Sequence, residues 1–213
     1  MNSGVKFVFI LIVSIELTFI LNARINFIVA IVAAIYLMLS RLTWQRYLLL
    51  VLMPILPVLG AWTSFSTYGT HNMAIVMATR IVAYIYLGAA FSFTTNMVDL
   101  LNTLEQKWHL PTTFVYGLRG ALTFVPRVKQ EIKTIHIAAL MRGEHLSFYS
   151  PQLFFKAILV SLQWSTRLST AMVSHGFTEN APRTHFQSII IQKRDWLIAV
   201  SLLVILQLMI AYL

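Results

Sequence analysis

A chain of 213 residues that is 58% hydrophobic and only 11% charged carries less than half the charge of a soluble domain, for which about a quarter is usual. A water-soluble fold is thereby excluded, and the class is a polytopic membrane protein. Cysteine is absent, which rules out disulfides, thiolate metal sites and cysteine nucleophiles. The net charge of +9 lies beside apolar spans, so it reads as membrane topology before nucleic-acid affinity.

The first apolar run is Val5–Leu21, with Lys6 at its start and Glu16 within it. No small-x-small cleavage site follows cleanly, so an uncleaved first span is expected. The second span, Ile25–Leu39, is closed by Ser40-Arg41. Both fall slightly short of the roughly 20 residues that a bilayer core requires. Arg24 and Arg41 are placed to snorkel to the headgroups and cover the shortfall. The third span, Tyr47–Phe65, carries Pro54 and Pro57 and is expected to kink. The fourth, Met73–Phe93, holds Arg80 and the small residues Ala74, Ala78, Gly88 and Ser92. The last is Trp196–Leu213, preceded by Lys193-Arg194-Asp195.

Five spans put the two ends of the chain on opposite sides. With the N-terminus in the cytoplasm, Lys6, Arg41, Arg46 and every Lys or Arg from Lys107 to Arg194 lie inside, and only Arg24 lies outside. The expected architecture is an all-α integral membrane protein with about five transmembrane helices. Residues 1–95 hold helices 1–4, residues 96–194 form a cytoplasmic or interfacial domain of amphipathic helices, and residues 195–213 form the C-terminal span.

Within the cytoplasmic segment, Met97, Leu100, Leu101, Leu104 and Trp108 follow helical spacing, and Pro111 is expected to close that helix. Phe114–Val125 is apolar apart from Arg119 and suits the interface or close packing on a span. Pro126 is expected to open a new helix, as proline in a first turn does, with Gly143 ending it. Ser150-Pro151 starts another, which ends at Gly176. Two helices thus terminate alike, each with a basic or potentially basic residue directly before a glycine.

Arg142-Gly143 alone is what ordinary capping looks like, because the dipole at a helix C-terminus favours a cation. Its repetition at Ser174-His175-Gly176 points further, to two matching tips offered to a two-fold symmetric partner. Glu16 and Arg80 lie within spans, where ionisable groups are costly; a Glu–Arg pair or contacts to backbone, stabilising the bundle, is favoured over a substrate path. The six histidines, His71, His109, His136, His145, His175 and His185, form no i, i+4 pair, so no metal site is expected. Arg127, Lys129 and Lys133 read as a solvated face near anionic lipid. No Gly-x-x-x-x-Gly-Lys-[Ser/Thr], Gly-x-Ser-x-Gly or His-Glu-x-x-His occurs. Any ATP used would be bound by another chain.

The ordered set Pro126, Ala138-Ala139-Leu140-Met141-Arg142-Gly143, Ala171-Met172-Val173-Ser174-His175-Gly176-Phe177 and Pro182-Arg183-Thr184 resembles the transmembrane T component of energy-coupling factor (ECF) transporters, ABC-type importers of vitamins and transition-metal ions in prokaryotic cell membranes. The resemblance covers Asp99 to Thr184 with motifs, and the flanking spans match in hydropathy. It implies a non-catalytic scaffold with two coupling helices, each ending in a motif that docks on one of two ABC ATPase subunits. A separate small membrane protein, the S component, captures the substrate. This chain would bind no cofactor itself, with ATP and Mg on the ATPase subunits, and its other contact would be membrane lipid, with no nucleic acid. Carried over, the docking motifs are Met141, Arg142 and Gly143, and Ser174, His175 and Gly176, with Ala139, Arg183 and Thr184 as secondary candidates. The family pattern has arginine where this chain has His175. A guanidinium offers five donors and a fixed charge; an imidazole offers at most two and titrates near neutrality, so the second contact is expected to be weaker or to rest more on packing and helix-end geometry, and to depend on pH if its charge matters. The alternatives are a solitary structural or regulatory membrane protein with a lipid-binding basic face, or an integral membrane enzyme using Glu16, Arg80 and cytoplasmic histidines.

Overall fold

The computed structural model describes residues 2–40, 43–144, 147, 150–178 and 188–212. All regular elements among them are helices: α1 Ser3–Phe19, α2 Ala23–Leu39, α3 Trp44–Leu52, α4 Ile55–Tyr68, α5 His71–Thr94, α6 Met97–Trp108, α7 Thr112–Met141, α8 Pro151–Ser174 and α9 Lys193–Tyr212. Three stretches are long and apolar enough to cross a bilayer: Trp44–Tyr68, His71–Thr94 and Lys193–Tyr212. The first two helices are equally apolar but have 17 residues each. The protein is an all-α membrane protein.

The helices form two compact units, Met1–Thr103 with Ile189–Leu213, and Leu104–Ser188. The first is built on α5. Its small residues Ala83 and Ala90 are buried, as are Ala30 and Ala33 of α2, and small side chains let helix backbones approach closely. Val13, Leu17, Ile25, Leu87 and Leu206 complete this core. The amide of the fully buried Asn26 donates to the Val76 carbonyl at 3.3 Å and ties α2 to α5. Both α1 and α2 are capped by asparagine: Asn2 Oδ1 accepts from Gly4 N–H and Asn22 Oδ1 from Arg24 N–H, each at 3.0 Å.

Cross-helix contacts give the directions. Lys6 donates to Thr94, and Tyr84 donates to the Ser14 carbonyl, so α1 and α5 run antiparallel. Asn2 N–H donates to Asp195 at 3.1 Å and Gln207 donates to Glu16 at 2.8 Å, so α1 and α9 run parallel. The start of α1, the end of α5 and the start of α9 therefore meet at one end of the bundle. The chain leaves the bundle and returns to it on the side of its own N-terminus.

Three local expectations change. The third apolar run is two helices, α3 and α4, because Pro54 and Pro57 lack the N–H groups that would continue the ladder. Helix α6 stops at Trp108, where His109 adopts a left-handed φ of 53°; Pro111 instead becomes the N-cap residue of α7. Pro126 does not open a helix but lies inside the 30-residue α7. The ring removes one hydrogen bond, to the Leu122 carbonyl. The helix runs on through it, and there Phe124, Arg127 and Val128 line a small gap shared with Ala157, Val160 and Trp164 of α8.

Candidate functional site

In the second unit, α7 and α8 lie antiparallel. Tyr116 meets Phe177 edge-on at 5.8 Å. A Cβ on Gly120 would touch Leu168, and the Arg127 guanidinium lies 4.9 Å over the Trp164 ring. Because residue numbers rise on one helix as they fall on the other, the C-terminal tips of α7 and α8 point to opposite ends of the pair. Tyr116, beside the α8 tip, and Arg142 are separated by a helical path of about 40 Å. The two motifs are thus not brought together into one site. They form two.

Each tip is the same backbone device. At the first, Gly143 N–H donates to Leu140 O and Glu144 N–H to Ala139 O, both at 3.0 Å, with Gly143 at φ 75°. At the second, Gly176 N–H donates to Val173 O and Phe177 N–H to Met172 O, both at 2.9 Å, with Gly176 at φ 79°. This paired 6→1 and 5→2 bonding is the Schellman motif, and its left-handed residue is normally glycine because a Cβ is strained there. Arg142 and His175 occupy the equivalent C-cap position, next to the negative end of the helix dipole.

Both tips face outward. Arg142 and His175 are exposed, and among the described residues no side-chain hydrogen bond or ion pair engages either. Exposed aliphatic residues precede each: Met141 is 80% exposed and Val173 67%. Of the secondary candidates, Ala139 is buried in the last turn of α7, where its carbonyl receives Glu144 N–H. Arg183 and Thr184 lie outside the described residues. The tips differ in support: Phe177, directly after the second glycine, packs back on α7 through Tyr116, whereas the corresponding residue of the first is the exposed Glu144.

The family model described as CbiQ, cobalt transport protein, matches residues 2–186. The chain belongs to the CbiQ family. This is the T-component family of ECF transporters, so the protein is a membrane component of a transport system and not a catalytic subunit. No curated protein matches the chain.

In this CbiQ-family chain the ionisable groups within the spans serve the bundle. Arg80 donates to the Ile20 carbonyl at 2.6 Å and so covers the C-terminal end of α1. Glu16 accepts from Gln207 on α9. The direct Glu16–Arg80 pair is replaced by these two contacts, and the backbone branch of the sequence expectation holds. Ala74 and Ala78 are buried within the bundle, while Gly88 and Ser92 of α5 remain exposed. Sequence reasoning missed the Tyr116–Phe177 and Arg127–Trp164 contacts, whose signal is visible only once the antiparallel register of α7 and α8 is known.

Proposed function

We propose that this protein is the transmembrane coupling subunit of an ECF importer. It transmits ATP hydrolysis by two partner ATPase subunits to the reorientation of a separate S component, and so to uptake of a vitamin or transition-metal ion. The family's description as cobalt transport protein falls within that substrate class. Substrate choice would rest with the S component. Nucleotide and Mg would rest with the ATPase subunits, since this chain has no phosphate-binding loop.

The observation that carries the reading is the repeated tip. Two Schellman-capped helix ends, each with a basic C-cap residue, face outward at opposite ends of one helix pair. Two like contacts some distance apart suit two copies of one partner related by a two-fold axis. Met141, Arg142 and Gly143 would dock on one ATPase subunit, and Ser174, His175 and Gly176 on the other. The second unit, and with it the N-terminus, would lie in the cytoplasm, a placement that the distribution of Lys and Arg supports. Small residues on α5 could seat the S component, and of these Gly88 and Ser92 are exposed.

The test is a mild-detergent pull-down of the tagged chain with mass-spectrometric identification of its partners, repeated with Arg142→Ala. Wild type should bring an ABC ATPase and a small hydrophobic membrane protein. The variant should insert in the membrane but lose ATPase association by at least about tenfold, as expected for a central interface arginine. A wild-type chain that comes down alone in several detergents would remove the coupling reading.

A further inference from the structure

The first unit contains a cavity of about 510 Å³ between α1, α2, α5 and α9, within the size range of small-molecule sites. Its walls are aliphatic and aromatic. The polar side chains lining it are Lys6, Tyr36 and Thr94. Lys6 donates to the carbonyl and hydroxyl oxygens of Thr94, both at 3.3 Å, and its ammonium lies 5.9 Å from the centre of the Tyr36 ring. These residues belong to the start of α1, the last turn of α2 and the end of α5, so the polar cluster sits at one end of an otherwise apolar space. Val32 of α2 and Ile205 of α9 both line the cavity and are 56% and 57% exposed. The cavity therefore opens sideways between these two helices, where a spanning bundle meets the bilayer.

Its apolar walls offer water few hydrogen-bond partners, and left vacant the space would deprive them of dispersion contacts. A lipid chain can enter through the α2–α9 opening. The fixed positive charge of Lys6 at the polar end complements a phosphate, and the Tyr36 hydroxyl adds hydrogen-bonding capacity. We infer that this cavity is a binding site for a single anionic phospholipid, one acyl chain lying between α1, α2, α5 and α9 and the phosphate held at Lys6. The bound lipid completes the packing of the bundle and fastens the N-terminal end of α1 to the end of α5 at the headgroup level.

The experiment is native mass spectrometry of the full chain purified from membranes in a mild detergent, with the retained phospholipid identified after graded delipidation. Wild type should retain one anionic phospholipid after the annular lipids are gone. Lys6→Gln should lower that retention about fivefold, the effect of one basic group at a lipid surface, and Lys6→Arg should restore it. Ala33→Phe, which fills the cavity wall, should abolish retention of every phospholipid; its elution profile reports whether it is folded. If it is not, the Lys6 pair decides alone. Wild type without retained lipid, or retention equal in wild type and Lys6→Gln, would overturn the inference. So would photocross-linkers at Val32 and Ile205 that capture a protein neighbour and no lipid.

Discussion

Gly143 and Gly176 each hold a left-handed φ, 75° and 79°, and no neighbouring atom blocks a Cβ at either. The constraint there is purely conformational. Alanine should therefore destabilise each tip by about 1–2 kcal/mol without a steric clash, visible as fraying of the last turn in hydrogen exchange and as weaker ATPase association. Unchanged exchange at Leu140 and Val173 would contradict this. At the second tip the side chain is the question. His175→Arg should tighten association, because it supplies a fixed charge and more donors at an exposed C-cap; association no tighter than wild type would show that this contact rests on packing alone. These tips were readable from sequence because a basic residue followed by glycine, after an apolar helical pattern, has few structural meanings. The partner of Arg80 was not readable: Ile20 is 60 residues away, and its carbonyl becomes available only because α1 ends beside α5.

Helix boundaries were readable where one local rule acted and misread where two competed. Ser150-Pro151 begins α8 as its chemistry predicts. Pro126 obeys the same local preference, yet the helix runs on through it beside α8, where Arg127 lies over Trp164. Pro126→Ala should restore the missing bond to Leu122 and raise the thermal midpoint, by an amount worth up to about 3 kcal/mol. A lowered midpoint would mean that the α7–α8 contact depends on the proline geometry. His109 closes α6 in a conformation unusual for a residue with a Cβ, which sequence pattern does not announce. At the other end of the chain, α1 approaches α6 so closely that a Cβ on Gly4 would lie 2.6 Å from Thr103 Cγ2. Thr103 is itself held, donating to the Asp99 carbonyl at 2.7 Å. Gly4→Ala should therefore cost about 1–3 kcal/mol by overpacking and lower the thermal midpoint of the purified chain; Gly4→Ala combined with Thr103→Ser should recover much of the loss. An unaffected midpoint in Gly4→Ala would show that α1 and α6 can separate freely.

For the whole molecule, hydropathy and charge revealed the class because a bilayer imposes long apolar helices and biased Lys and Arg on any sequence that crosses it. They did not reveal how the helices pair. The contacts Lys6–Thr94, Tyr84–Ser14, Asn2–Asp195 and Gln207–Glu16 bring together residues far apart in the chain, and they show α1 antiparallel to α5 and parallel to α9. The same holds for the α7–α8 pair, whose antiparallel register separates two tips that the sequence presents as a simple repeat. The central claim is that these tips engage two different copies of an ATPase subunit. The natural chain has no cysteine, so single cysteines at Met141 and Val173, both strongly exposed, can be cross-linked without background. In membranes that contain the co-expressed partners, each single variant should yield one ATPase adduct. The double variant should yield a species with two ATPase subunits on one chain. A double variant that never carries more than one, or adducts only from Met141, would contradict the account.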